Sequence, residues 1–79
     1  MSIQNENEQA YTYSKLRARA VELGLTSREV AAAIRMNAST YSIKLNGKGE
    51  FSQSEIRKIC KVLLIESADI PMYFFTERV

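Results

Sequence analysis

The side chains best able to bind a partner lie between Thr26 and Gly47. Ser39 and Ser42 carry hydroxyls that donate or accept hydrogen bonds, and Ile43 adds an aliphatic side chain beside them. The apolar residues of the same stretch recur at helical spacing, at Ala38, Tyr41 and Leu45. A helix with this pattern leaves the hydroxyls and the isoleucine on its outer side. The chemistry on offer there is hydrogen bonding and apolar contact rather than bond making.

Catalytic and metal-binding groups are scarce in this chain. It has no histidine and one cysteine, Cys60, which excludes the usual zinc ligands, a disulfide framework and a histidine general base. Glu29 and Glu55 each follow a threonine or serine by three residues, as helix-capping residues do. We therefore expect no enzyme, no cofactor, no metal ion and no small-molecule ligand. A lone thiol indicates the reducing cytoplasm, and no apolar run approaches the ~20 residues that a membrane span requires.

Positive charge is concentrated in the middle of the chain. The full sequence of 79 residues carries a net charge of +2. Residues 9–64 hold ten lysines and arginines against four glutamates, a balance of +6, and the two ends carry the opposing negative charge. A basic middle favours a polyanionic partner, although a solvated helical surface explains the same cations equally well.

Helical periodicity runs from Tyr13 to the C-terminal region, and no stretch alternates as a strand would. The apolar spacing and the capping residues predict five helices: about 13–23, about 27–34, one from Asn37 to Asn46-Gly47, one opened by Ser52 and Glu55, and about 68–75. Residues 1–9 are polar and aperiodic, which predicts a disordered leader. Residues 10–79 then form a single all-α domain.

The second and third helices are expected to cross closely. Ala31 offers a small side chain at their contact, while Val30 and Ile34 anchor the second helix in the core. The third helix needs one apolar side against the second and one side free to enter a groove. We expect Tyr41 on the buried side. Cys60, on the apolar side of the fourth helix, is expected to be a buried and inert thiol.

Residues between 13 and 75 follow a known pattern, at Thr26, Glu29-Val30-Ala31, Ile34, Met36, Ser39-Thr40, Leu45 and Asn46-Gly47. They resemble the Cro/repressor-type helix-turn-helix family of phage and bacterial regulators, five-helix domains like that of lambda repressor. Residues 39–63, with Ile70-Pro71 and Tyr73-Phe74-Phe75, look more narrowly like small phage Cro-like proteins. The resemblance implies a lambda repressor-like fold with a helix-turn-helix in helices two and three. It also implies transcription regulation, typically as a repressor.

In that family the third helix enters the major groove of a near-palindromic double-stranded DNA operator, bound by a homodimer. Base contacts are expected from Ala38, Ser39, Ser42 and Ile43. The two apolar side chains can pack on thymine methyls, and the two serines discriminate weakly by hydrogen bonding. The open alternatives are that Ile43 is an exposed hydrophobic residue without a ligand and that the serines are small surface residues. Phosphate contacts are expected from Ser27, Arg35, Asn37, Thr40, Lys44, Asn46 and Lys48.

Two places depart from the family pattern. Arg35 stands in the turn where the family usually has glycine, and a non-glycine residue with positive φ costs on the order of 1 kcal/mol. The turn must therefore follow another path or tolerate that strain. Ala38 and Ser39 stand at the start of the third helix, where long amides such as glutamine are common.

The C-terminal aromatic segment predicts a second surface, formed by Met72, Tyr73, Phe74 and Phe75. So short a segment cannot bury all four side chains, and leftover aromatic surface usually marks an interface. Two-fold dimerisation through these residues is the preferred interpretation, and local capping of the core is the alternative. A different class of function is also open: a protein-binding module, such as an antitoxin or anti-repressor, on the same fold.

Overall fold

Five α-helices form the part of the chain that the computed structural model describes, Tyr11–Glu77. They are α1 (Ser14–Glu22), α2 (Ser27–Ala33), α3 (Ala38–Leu45), α4 (Gln53–Leu63) and α5 (Ile70–Phe74), with a 3-10 turn at Ser67–Asp69 before α5. No strand forms between Tyr11 and Glu77, and the predicted all-α fold is confirmed. The predicted leader, residues 1–9, lies outside the described residues.

Side-chain caps fix where three of the helices begin. The Thr26 hydroxyl accepts from the Glu29 N–H at 3.1 Å, and the Glu29 carboxylate accepts from the Thr26 N–H at 2.9 Å. Ser52 and Glu55 form the same reciprocal pair before α4, at 3.1 Å and 2.8 Å. Asn37 caps α3 with its side-chain oxygen. The three predicted caps are confirmed, and each satisfies a backbone donor that a helix start leaves unpaired.

Left-handed backbone residues separate several of the helices. Gly24, with φ 74°, follows α1, where glycine commonly ends a helix. Arg35, between α2 and α3, has φ 60°, so the turn keeps the strained conformation instead of following another path. Leu64, after α4, has φ 56°, which the sequence pattern did not predict.

The fifth helix is shorter than the predicted 68–75. Residues Ser67–Asp69 form a tighter 3-10 turn, and the α-helix covers only Ile70–Phe74. Pro71 stands in its first turn, where a missing N–H costs no hydrogen bond. The chain therefore enters α5 through a tight turn and presents only about one and a half helical turns of α-helix.

The core collects buried apolar side chains from all five helices, among them Leu16, Val30, Tyr41, Ile59, Leu63 and Phe74. Phe51 joins them from the connection between α3 and α4, outside any helix. Its ring packs edge-on against Tyr13 and Phe74, with centroids 5.4 Å and 5.9 Å apart, and tilted against Tyr41 at 5.8 Å. Helical periodicity did not identify Phe51, because this residue lies in a loop.

The two ends of the described segment meet on one side of the molecule. The Thr12 N–H donates to the Thr76 carbonyl at 2.9 Å, within an isolated antiparallel bridge of Tyr11 with Glu77. The Tyr11 ring packs edge-on against Phe75 at 5.6 Å. Together with the contact of α1 with α5, these interactions hold the C-terminal helix against the start of the fold.

Candidate nucleic-acid interface

The turn between α2 and α3 is held by backbone hydrogen bonds. The Met36 N–H donates to the Ala31 carbonyl at 2.8 Å, and the Arg35 N–H donates to the Ala32 carbonyl at 3.1 Å. Ala31 is buried, as a close crossing of two helices requires. These bonds fix the direction in which α3 leaves α2, and the two helices form the most extensive helix contact in the described fold.

One side of α3 faces the core. Tyr41 and Leu45 are buried, which confirms the prediction for Tyr41, and Ala38 is half-buried against the core. Burial raises the pKa of the Tyr41 hydroxyl to about 12, and the positive charge of Arg17 opposes that rise only in part. The Tyr41 hydroxyl therefore stays protonated at physiological pH.

The opposite side of α3 is open to solvent. Ser39 and Ser42 are exposed, and Ile43 keeps 51% of its surface exposed. We call the surface formed by these three residues the outer face of α3. The Ser39 hydroxyl donates to the Asn37 side-chain oxygen at 2.5 Å, which orients this hydroxyl and leaves its lone pairs as acceptors. The outer face therefore offers two hydroxyls and one aliphatic side chain to a ligand, as the sequence predicts.

Most of the predicted phosphate contacts are also exposed, namely Ser27, Arg35, Asn37, Thr40, Asn46 and Lys48. The two ion pairs found between residues 11 and 77 join Arg19 to Glu22 and Lys44 to Glu55. Neither pair involves Arg35 or Lys48, so both of these cations can reach a polyanion. Arg28, next to Ser27 in the first turn of α2, is a further exposed cation that the sequence analysis did not select.

Lys44 differs from the other predicted phosphate contacts. It is half-buried, and its Nζ donates to both carboxylate oxygens of Glu55, at 2.8 Å and 3.1 Å. This bond from Lys44 is the main reason that the pKa of the Glu55 carboxyl lies below its usual value, against an opposing effect of burial. The predicted contact residue therefore already has an anionic partner within the fold.

Two arginines of α1 reach across the fold. The Arg17 guanidinium donates to the Asn46 side-chain oxygen at 2.7 Å and to the Leu45 carbonyl at 3.3 Å. Because the Asn46 oxygen is taken, its amide N–H groups are left to donate to a ligand. Arg19 donates to the Leu63 carbonyl at 2.9 Å. Neither role could be predicted from the sequence, because helical spacing carries no signal for partners so distant in the chain.

The predicted dimer surface divides into a buried and an exposed part. Phe74 is 1% exposed and packs edge-on against Phe51, so its assignment to a dimer interface is wrong. Its ring points into the core because α5 is amphipathic and this residue lies on the inner side. Met72 and Phe75 remain 43% and 48% exposed, and Tyr73 is half-buried. The surface left for a partner is therefore smaller than predicted.

Other chemically active groups add little to this site. Cys60 is buried, and burial raises the pKa of its thiol, as expected for an inert cysteine. Within residues 11–77, no cluster of three histidine, cysteine or acidic side chains could hold a metal ion. No helix from Tyr11 to Glu77 is long and apolar enough to cross a membrane.

Two solved structures of regulatory proteins share this architecture. One is the modulator of repression (MOR) of the temperate bacteriophage TP901-1 from Lactococcus lactis, with 37% identity, a TM-score of 0.73, and coverage of 89% of this chain and 95% of that chain. The other is the clp gene regulator ClgR from C. glutamicum, with 28% identity, a TM-score of 0.66, and coverage of 76% and 78%. Both are regulators rather than enzymes, which agrees with the non-enzymatic role expected from the sequence.

The fold and these neighbours define the class of the protein as a small, helical helix-turn-helix regulator. The chain belongs to the family described as "Protein of unknown function (DUF739)", whose model matches residues 9–77. No curated protein matches the chain.

Proposed function

We propose that residues 10–79 form a sequence-specific, double-stranded DNA-binding transcriptional regulator of the phage repressor or Cro-like kind, acting in the cytoplasm. The observation that carries the proposal is the exposed outer face of α3, opposite the buried Tyr41 and Leu45. A helix presented in this way fits the major groove. The likeness to a phage modulator of repression and to a clp gene regulator supports a role at DNA.

Direct readout falls to the first turns and the outer face of α3. Ser39, whose hydrogen is donated to Asn37, accepts from base edges, Ser42 donates or accepts, and Ile43 packs on thymine methyl groups. Ala38 is half-buried, so only the exposed part of its methyl group meets a base. Short side chains of this kind discriminate weakly by hydrogen bonding, and the preferred operator is therefore one that offers thymine methyls to the isoleucine.

Phosphate contacts supply most of the affinity. They come from Ser27, Arg35, Asn37, Thr40, Asn46 and Lys48, while Lys44, the seventh predicted contact, stays bound to Glu55 in the wild type. Only the cations among them release counterions. With Arg35 and Lys48 from each subunit, the logarithm of the binding constant of a dimer falls with the logarithm of salt concentration at a slope of about −4. Truncation of Lys48 makes that slope shallower by about 1 per subunit, and an unchanged slope removes Lys48 from the contact set.

Two copies are proposed to bind together, joined through Met72, Tyr73 and Phe75. Met72 and Phe75 each keep more than two fifths of their surface exposed, as unpartnered apolar side chains do at an interface. A two-fold dimer sets its α3 helices in successive major grooves ~34 Å apart, which matches a near-palindromic operator. Occupied operators then block access of the polymerase.

A filter-binding titration with random-sequence duplex DNA at two salt concentrations tests the proposal. The informative variant is Ser42→Asp, which sets a negative charge on the outer face, and we expect binding at least about tenfold weaker. Ser67→Asp adds the same charge in the exposed turn before α5 and is expected to bind like the wild type. Equal weakening by both variants, or none, contradicts a role for the outer face.

Selection of bound sites from a random oligonucleotide pool tests sequence readout and dimer symmetry together. The proposal predicts enrichment of two inverted half-sites whose centres are one helical turn apart. Ile43→Ser is expected to relax the preference for thymine, whereas Val21→Ser, a matched change at an exposed aliphatic residue of α1, leaves it unchanged. If no sequence is enriched, sequence-specific readout is contradicted. If a single unpaired half-site is enriched, two-fold binding is contradicted.

A protein-binding module, such as an antitoxin or anti-repressor, is the second candidate. The exposed apolar side chains Ile43, Met72 and Phe75 favour it, since each could pack on a partner protein. The name of the phage neighbour, a modulator of repression, fits action on a repressor as well as action on DNA. A module of this kind leaves random duplex DNA unbound at both salt concentrations of the filter-binding titration.

A further inference from the structure

The ion pair of Lys44 with Glu55 joins the last turn of α3 to the first turn of α4. The Lys44 ammonium donates to both oxygens of the Glu55 carboxylate, at 2.8 Å and 3.1 Å. The same carboxylate also accepts from the Ser52 N–H at 2.8 Å within the α4 capping box. The carboxylate is therefore fixed by the start of α4 before Lys44 contributes anything to its position.

Lys44 is partly buried and is held at its ammonium group. Its side chain is 21% exposed, and that of Glu55 is 25% exposed, so solvent screens this pair less than it screens a fully exposed pair. The aliphatic part of Lys44 also runs beside Gly49, where a Cβ built on the glycine would lie 3.6 Å from the Lys44 Cγ. To bind a phosphate, the ammonium must leave a carboxylate that the helix cap keeps in place.

From this geometry we propose that Glu55 limits the affinity of the protein for DNA by holding Lys44 away from the phosphate backbone. The inference rests on the proposed function. Lys48, three residues after the end of α3, is exposed and takes part in neither of the two ion pairs found within residues 11–77. Of the two lysines near the end of α3, Lys48 is thus available to a polyanion, and Lys44 is bound to Glu55.

Salt dependence measures the proposal directly, because each lysine that binds a phosphate adds about 0.9 to the slope of log affinity against log salt. Glu55→Gln keeps an acceptor for the Ser52 N–H, as a capping box with glutamine does, but carries no charge to hold Lys44. With a random-sequence duplex of about 20 base pairs, we expect a slope steeper by about 0.9 per subunit. Between about 50 and 200 mM salt, this adds roughly a threefold change in Kd per subunit.

Lys44→Met, made alone and together with Glu55→Gln, completes a double-mutant cycle. In the wild-type background it is expected to leave the salt slope unchanged, since the ammonium does not reach the DNA. In the Glu55→Gln background it is expected to restore the wild-type slope. Glu50→Gln is the matched control, because it removes the same charge from the neighbouring loop, and Glu50 belongs to neither ion pair of the described residues. This control should leave the slope unchanged.

The outcomes separate this inference from the proposed function. If Glu55→Gln leaves the salt slope of DNA binding unchanged, the role of Glu55 is overturned. The same holds if Glu50→Gln steepens the slope equally. In both cases the proposal of DNA binding itself stands. The role of Glu55 is also overturned if Lys44→Met, made in the wild-type protein, makes the salt slope shallower by about 0.9 per subunit. This test remains available even if Glu55→Gln fails to fold. Absence of wild-type binding to duplex at about 50 mM salt overturns both proposals.

Discussion

At the residue scale, Arg35 and Leu64 share a left-handed backbone that side chains with a Cβ ordinarily avoid, with φ 60° and 56°. The strain at Leu64 is offset by Arg19, whose guanidinium donates to the carbonyls of Leu63 and Leu64. Arg35 receives no comparable support, since its guanidinium is exposed and forms neither ion pair of the described residues. Arg35 therefore contributes less to the fold than a glycine would, which points to a role for its charge outside the fold.

Replacement of Arg35 by glycine is predicted to stabilise the protein while weakening DNA binding. Glycine adopts positive φ without strain, and after its larger loss of chain entropy the expected gain in unfolding free energy is about 0.5–1 kcal/mol. Thermal denaturation measures that gain, and the salt slope of DNA binding should become shallower by about 1 per subunit. Arg35→Ala loses the same charge but keeps the strain. Equal stability of the alanine and glycine variants contradicts the strained turn.

At the element scale, three of the five helices begin where a polar side chain satisfies one of their first N–H groups. Thr26 and Ser52 each complete a reciprocal cap with a glutamate three residues later, and Asn37 caps α3. The start of α2 and the start of α3 set the position of the outer face, because both helices contact each other across the turn. Loss of a cap should therefore lower the stability of the fold. It should affect ligand binding only as a consequence of that lower stability.

Thr26→Ala is predicted to lower the free energy of unfolding by about 1 kcal/mol, because the Glu29 N–H loses its acceptor at the start of α2. Urea denaturation measures the change. The neighbouring Ser27 is exposed and does not cap the helix, so Ser27→Ala should change stability by less than about 0.5 kcal/mol. A larger loss from Ser27→Ala than from Thr26→Ala would show that the cap is assigned to the wrong residue.

The ion pair between α3 and α4 predicts a dependence of stability on pH. Lys44 holds the pKa of the Glu55 carboxyl below its usual value of 4.5, so folding favours the ionised form. The contribution of the ionised Glu55 carboxylate to folding stability is complete above pH ~4.5 and is lost as the pH falls through the lowered pKa. In thermal melts from pH 6 to about 3, Tm should therefore fall less steeply for Glu55→Gln than for the wild type. Glu50→Gln, which removes a carboxylate outside both ion pairs of the described region, should follow the wild-type curve.

Local features of this fold could be predicted from the sequence, and long-range ones could not. The capping boxes and the buried Tyr41 follow from spacing within a single helix. For α5, the tightened first turn and the burial of Phe74 were not predicted. Phe51 and the bond of Arg17 with Asn46 depend on residues that meet only after the chain has folded. In the same way, the exposure of Ser42 and Ile43 followed from helical spacing, whereas the partner of Lys44 lies on another helix.

At the scale of the whole molecule, one aromatic cluster joins the start of α1 to α3 and α5. Phe51 contacts Tyr13, Tyr41 and Phe74, and Tyr11 packs on Phe75 where the two ends meet. A domain of this size has a modest core, so each buried ring carries a large share of the stability. The position of α3 therefore depends on a loop residue that makes no contact with the proposed ligand.

Phe51→Leu is predicted to cost about 1–2 kcal/mol, because it removes ring atoms from a filled core and loses the edge-on contacts with Tyr13 and Phe74. Guanidinium denaturation at low protein concentration measures the loss. Phe75→Leu makes the same change at a ring that is 48% exposed, and it should cost less than half as much. Equal losses for the two variants contradict the central position of Phe51.

DNA binding through the outer face of α3 is tested most directly by a map of backbone amide chemical-shift changes as duplex operator DNA is added to the labelled protein. We expect the largest changes at Ser39, Ser42 and Ile43, with further changes at Ser27, Arg35 and Lys48. A map centred on α5, or on the C-terminal half of α4, with the outer face of α3 unchanged, would contradict DNA binding through α3.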